Sequence, residues 1–224
     1  MHVGYSLAKS IVGFYKNLFL RDVELFGSEN ILPSPKIIIC NHAYATDPFV
    51  LPFIFKERLH FMIQDSLFRA PLIGFLLSFA DQLPVVAGRG RQLIRQANQY
   101  LTQGDSVVIF PEGVLNHGKE LLPARGGAAL LAAYSGCPVQ PVGFYTPAEY
   151  VREIRLEFEK RPGRSMWQFG GPTFVNVGAG MNIIKSEKSL IDPHLLIDQM
   201  MVRIQTLVGE VEARWNTLKK TYTG

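Results

Sequence analysis

Between positions 36 and 145, short unbroken apolar runs alternate with longer segments whose apolar residues recur at helical spacing. The runs Lys36 to Cys40, Leu59 to Ile63, Leu83 to Ala87, Ser106 to Phe110 and Val139 to Tyr145 read as strands. Ser106 to Phe110 is apolar nearly throughout, as strands in the middle of a parallel sheet are. Between the runs, the pattern predicts a helix opening at Pro48, an apolar segment from Ser66 to Ala80, and helices over Gln92 to Gln103 and Ala124 to Ser135. Gly104 and Gly136 stand where helices end in the left-handed conformation. Thr46 or Asp47 is placed to cap the helix at Pro48. Val23 to Gly27 alternates like a short edge strand. Strand and helix in alternation predict an α/β fold: a single domain, mostly parallel sheet, covered by helices. Beyond 145 the pattern changes. Ile154 to Glu159 alternates with period two and Met166 to Val177 is extended, so antiparallel or edge strands are expected late in the chain. A long C-terminal helix follows from about Pro193 to Tyr222, with Leu195, Met200, Ile204, Leu207, Val211 and Trp215 as its apolar stripe.

Two further segments carry apolar residues in a way that suits a membrane as well as a core. Tyr5 to Leu20 is amphipathic, with Leu7, Ile11, Phe14, Tyr15, Leu18 and Phe19 set against Lys9, Ser10, Lys16 and Asn17. It reads either as a helix packed on the body or as an interfacial anchor. That divides the chain into an amphipathic helix over 1–21, a candidate membrane anchor, and a main domain over 22–224. Ser66 to Ala80 contains a single charge, Arg69, and such a helix is either buried in protein or dipped into lipid. No apolar run reaches the roughly 20 residues that cross a bilayer. The first residues lack the basic start and long apolar stretch of a signal peptide. A cytoplasmic protein, attached peripherally to the cytoplasmic face of a membrane, is the expectation.

Composition narrows the classes. Of 224 residues, 47% are hydrophobic and 19% charged, which marks an ordered globular chain. The formal net charge of +4 suits a phosphorylated substrate or an anionic membrane surface. The basic residues are dispersed and form no recognised nucleic-acid module, so no nucleic-acid partner is expected. Cys40 and Cys137 both stand in apolar surroundings and read as buried free thiols. The five histidines are scattered and no Cys/His cluster has zinc spacing, so no metal is expected.

Strand ends of such a sheet converge in space, and four points of sequence then share one rim. They are His42 with Asp47, Arg89, Glu112-Gly113, and Arg125 at a helix start. A histidine accepts a proton from a hydroxyl, and a carboxylate on its other ring nitrogen fixes its tautomer. No Gly-x-Ser-x-Gly turn accompanies it, so a substrate hydroxyl is the group to be activated. On spacing alone, a structural role for His42 is the better reading. Arg89 and Arg125, among glycines at element starts, suit a phosphate. Glu112 at the end of an apolar strand calls for a partner, and a basic residue would supply one. Gly113 permits a sharp turn and offers a backbone N–H to an oxyanion.

Four blocks, in order, resemble the glycerolipid acyltransferases typified by 1-acyl-glycerol-3-phosphate acyltransferase. Asn41-His42 followed by Asp47 is similar to that family's NHxxxxD motif. Val85-Val86-Ala87-Gly88-Arg89 resembles its arginine-ending second block, and Phe110-Pro111-Glu112-Gly113 matches FPEG. Val139-Gln140-Pro141-Val142 resembles the fourth block, and Arg125 stands where the family has a basic residue before a helix. The likeness covers about residues 22 to 146. It implies acyl transfer from an acyl thioester, acyl-CoA or acyl-carrier protein, to the hydroxyl of a lysophospholipid, with no cofactor. It implies His42 as general base and Asp47 as its orienting partner. It implies acceptor binding by Asn41, Arg89, Phe110, Pro111, Glu112, Gly113 and Arg125. The family often continues FPEG with Thr-Arg-Ser, where this chain has Val114-Leu115-Asn116. A different lipid acceptor, or a non-catalytic lipid-binding homologue, are the other readings.

Overall fold

The computed structural model describes residues 3–158, 161–183 and 192–223. The apolar runs become the middle of a sheet, because a strand covered on both faces has no polar side to spare. β1 (Asp22–Phe26), β2 (Ile37–Cys40), β3 (Leu59–Gln64), β4 (Leu83–Val85), β5 (Ser106–Ile109), β6 (Val139–Tyr145) and β9 (Pro172–Val177) form seven strands in the order β1-β9-β6-β2-β5-β3-β4. β2 and β5 are buried at every position. From β6 to β4 every pairing is parallel. β9 enters antiparallel beside β6, and β1 runs parallel to β9 at the edge. The late antiparallel strand is therefore interior to the sheet. Met166 to Val177 is two strands, broken at Gly170 and Gly171. β7 (Val151–Phe158) and β8 (Arg161–Gln168) form a separate antiparallel hairpin; Glu159 of the expected strand lies outside the described residues.

Alternate residues of each strand serve opposite faces. Ile37, Ile39, Val107 and Ile109 pack on one side with residues of α5 (Gly90–Thr102), α6 (Gly127–Ser135) and α7 (Pro193–Thr223). Ile38, Cys40, Val108 and Val142 pack on the other with Leu20, Val50, Leu51 and Phe55. Cys40 is buried and Cys137 half-buried, and both are free thiols. On α7 the stripe holds at Met200, Ile204, Leu207 and Val211, but Leu195 is 63% exposed. Leu196, four residues before Met200 and hence on its face, takes that place in the core.

Three helices differ from their sequence expectation. At Pro48 the chain forms one 3-10 turn, Asp47–Phe49, and the short α2 (Leu51–Ile54), with no side-chain cap from Thr46 or Asp47. α6 begins at Gly127, so Arg125 stands on the loop ahead of it. Ser66 to Ala80 is two helices, α3 (Asp65–Phe68) and α4 (Pro71–Phe79), because Pro71 cannot continue the first. α4 is not core: Leu72 is 86% and Phe75 66% exposed. It touches α1 (Val3–Phe19), which itself leaves Leu7, Ile11, Phe14 and Leu18 exposed. Among the described residues no helix is long and apolar enough to cross a membrane.

Candidate active site

The chain reverses direction after each parallel strand, and the ends of β2, β5, β3 and β4 stand side by side in that order. β2 delivers Asn41 and His42, β5 delivers Phe110 to Gly113, and β3 ends at Gln64, whose register partner in β4 is Val85. Arg89 is four positions beyond Val85 and exposed.

Asn41 is buried in the seam between β2 and β6. Its Nδ2 donates to the Phe144 carbonyl at 2.9 Å, and the Phe144 N–H donates to its Oδ1 at 2.7 Å. The amide is thus taken up by backbone, and its contribution is to fix where the chain leaves the sheet. His42 comes next. Its ring stacks on Phe110, centroids 4.1 Å apart, and its Nδ1 turns inward to 3.5 Å from Asp47 Oδ2. Nδ1 is buried and makes no hydrogen bond at that distance. The side chain of His42 is 18% exposed, that of Asp47 3%. Asp47 is held in turn: its Oδ2 accepts the Tyr44 N–H at 2.7 Å.

Glu112 is 2% exposed, and among the described residues no basic side chain pairs with it. Its Oε1 accepts the His42 N–H at 2.9 Å, its Oε2 accepts the Leu122 N–H at 2.8 Å, and Asn116 Nδ2 lies 3.1 and 3.0 Å from the two oxygens. Backbone and amide donors satisfy a buried carboxylate as an arginine would. Gly113 has φ +70°, and a Cβ there would lie 2.8 Å from Arg125 Nε, so the guanidinium rests on the glycine. The Gly113 N–H donates to the Phe110 carbonyl at 3.0 Å, which closes the turn and removes it as an oxyanion donor. The Gly113 carbonyl accepts from Gln64 Nε2 at 3.1 Å, and the Pro111 carbonyl accepts the Arg125 N–H at 2.8 Å.

The site therefore brings together Asn41, His42, Asp47, Phe110, Pro111, Glu112, Gly113 and Arg125 by direct contact. Arg89 shares the rim only through the order of the strands. Gln64, Tyr44 and Asn116 belong to the assembly and were not singled out from sequence; the signal for Gln64 is its place at a parallel strand's end. Burial, and then the charges of Asp47 and Tyr145, push the Tyr44 phenol up to about 12. Burial also pushes the Cys40 thiol well above its ordinary value, with Asp47 and Glu112 adding to it. Cys40, though adjacent in sequence, is fully buried, a setting that disfavours the thiolate and leaves no path to a substrate. Among the described residues no three His, Cys, Asp or Glu side chains gather as metal ligands.

A family model described as Acyltransferase matches residues 22–145. A 1-acyl-sn-glycerol-3-phosphate acyltransferase of Pseudomonas aeruginosa is 32% identical over 124 residues, 53% of this chain and 48% of that protein. The protein of the same name from Borreliella burgdorferi is 27% identical over 137 residues, covering 58% and 54%. The chain thus spans about half the length of the curated relatives it matches. The crystal structure of the 1-acyl-sn-glycerophosphate (LPA) acyltransferase PlsC from Thermotoga maritima superposes with a TM-score of 0.69 at 22% identity, covering 94% of this chain and 80% of that one. That likeness is one of fold.

Proposed function

The chain belongs to the acyltransferase family, and from that premise we propose that it transfers an acyl chain from an acyl thioester to the free hydroxyl of a lysophospholipid. 1-Acyl-glycerol-3-phosphate, giving phosphatidate, is the acceptor we infer. The observation that carries the reading is the inward Nδ1 of His42 facing a buried Asp47, on a backbone clamped by Glu112. With Nδ1 directed at the carboxylate, Nε2 is the nitrogen left to take a proton. His42 removes the acceptor's hydroxyl proton as the oxygen attacks the thioester carbonyl. The tetrahedral adduct then expels the thiolate, which recovers the proton from the imidazolium. Asp47 stabilises that imidazolium and fixes the tautomer. Two observations support a substrate hydroxyl as attacking group: Cys40 is fully buried, and no serine stands at the turn. Arg125, laid over Gly113, and Arg89 on the same rim are assigned to the acceptor's phosphate.

We further propose that the acceptor is met at a lipid surface. α1 and α4 pack together, with Gly4 of α1 against the backbone of Phe79 in α4, and each helix leaves apolar residues exposed. Residues 1–21 act in this proposal as a peripheral anchor on the cytoplasmic face of an anionic membrane, and 22–224 as the acyltransferase domain. Whether acyl-CoA or acyl-carrier protein is the donor belongs to the same test. Leu115, half-buried where the family often has arginine, favours a second reading in which the acceptor's head group differs. Purified protein, given each donor and a panel of lysolipids, is assayed by mass spectrometry of the products. Phosphatidate formation that disappears in His42→Ala is the expected result. Turnover unchanged in His42→Ala would overturn the mechanism.

A further inference from the structure

The loop between β5 and α6 grips the peptide of His42 from both sides. Glu112 Oε1 accepts the His42 N–H, and the His42 carbonyl accepts the Asn116 N–H at 2.8 Å. The Asn116 side chain closes this ring. Its Nδ2 donates to the Glu112 carboxylate, and its Oδ1 accepts the Gly118 N–H at 2.9 Å. Asn116 is 4% exposed, so the amide is fully committed to these partners and faces no ligand. The same loop also reaches the other member of the pair. Gly118, at φ +71°, lies so close under Tyr44 that a Cβ would be 2.2 Å from the phenol oxygen. The Tyr44 N–H is the donor to Asp47 Oδ2. One side chain therefore links the support of His42 to the support of Asp47.

We propose that Asn116 is a positioning residue for the base: it sets the approach of His42 Nδ1 to Asp47 without touching substrate. This rests on His42 being the base. The 3.5 Å separation is longer than a hydrogen bond, so the approach has room to tighten in the working complex and to loosen when its support is cut. Loss of the Asn116 amide deprives Glu112 of one donor and frees the loop that holds His42. A plain packing role would lower stability alone; a positioning role lowers the chemical step at fixed substrate affinity.

The test compares wild type with Asn116→Ala, Asn116→Asp and Asn116→Ser by acyl-transfer kinetics and by hydrogen exchange at the His42 amide. In Asn116→Ala, kcat is expected to fall about 10²-fold, the scale of a misplaced catalytic group, with both KM values held within about twofold. Asn116→Asp keeps the shape and the Gly118 bond but sets a second carboxylate against Glu112, and falls as far. Asn116→Ser keeps a short donor and recovers part of the loss. Should the alanine variant fail to fold, the aspartate and serine pair carries the comparison. Turnover within twofold of wild type in the folded variants, beside an inactive His42→Ala, overturns the inference and leaves the proposed function standing. If wild type transfers to no acceptor, the proposed function falls, and exchange decides the clamp by itself. Faster exchange of the His42 amide in Asn116→Ala, at unchanged global stability, upholds it; unchanged protection overturns it.

Discussion

Two histidines of this chain each stand beside an aspartate, at opposite rims of the same sheet. His60, near the start of β3, is fully buried. Its Nδ1 is 2.8 Å from the Asp81 carbonyl, its Nε2 is 3.0 Å from Asp105 Oδ2, and its ring stacks on Tyr100 at 3.6 Å. Arg58 pairs with both Asp81 and Asp105, and nearby Lys36 pairs with Glu57. His42, past the end of β2, has one nitrogen facing a carboxylate without a hydrogen bond and keeps partial exposure. The difference is one of completeness. A fully buried histidine whose two ring nitrogens both face protein oxygens leaves neither open to a substrate and acts as a brace. A histidine held firmly by its backbone but incompletely by its ring is placed to exchange a proton.

The contrast is sharpest if each histidine is removed in turn. His42→Ala is expected to lower acyl-transfer kcat on the order of 10³-fold, with little change in the thermal midpoint, because general-base catalysis is worth about that much. His60→Ala is expected to lower the unfolding free energy by about 3 kcal/mol in urea titration, since it strips partners from a buried polar network. It should leave kcat of the folded fraction near wild type. The reverse assignment, an active His42→Ala or a stable but inactive His60→Ala, would break the comparison. Asp47→Asn tests the orienting carboxylate: kcat should fall roughly 10²-fold with KM little changed. Arg125→Ala, which tests the proposed phosphate contact, is expected to raise acceptor KM about tenfold, the value of one charge-assisted contact, while kcat moves less. An effect of similar size concerns the apolar face. Leu72→Ser with Phe75→Ser should reduce co-sedimentation with anionic vesicles about tenfold, as apolar area leaves the interface, and leave transfer to a detergent-dispersed acceptor near wild type.

The two rims also differ in how plainly the sequence declares them. The central strands announce themselves because both faces are buried, and the parallel core from β2 to β6 follows from runs such as Ile37-Ile38-Ile39. The strand-to-loop positions of His42 and Glu112 follow from those runs. The partners of Glu112 do not: a buried carboxylate is satisfied here by two backbone N–H groups and an amide, and backbone donors carry no signature in sequence. For the same reason the Gly113 N–H looked free, while the turn that the glycine permits consumes it. His60 was hidden inside an apolar run, its partners 21 and 45 residues away. The break at Pro71 was visible in principle, since proline ends a helix, but the exposure of α4 was not. An apolar helix reads alike whether protein or lipid is meant to cover it.

The Glu112 clasp on His42 bridges 70 residues of chain, and the Asn41 bond to Phe144 bridges 103. Contacts at such separations carry the full entropic cost of closing their loops and form only as the sheet itself closes. The clasp on the histidine consequently has no local precursor: a fragment ending before β5 contains His42, Asp47 and the Tyr44 N–H that holds Asp47, but not the Glu112 that holds His42. In refolding, acyl transfer should return no sooner than the slowest strand pairing, while helical signal returns earlier. The candidate site thus reports on completion of the whole fold, and regained acyl transfer is expected to be a stricter measure of the native state than regained secondary structure.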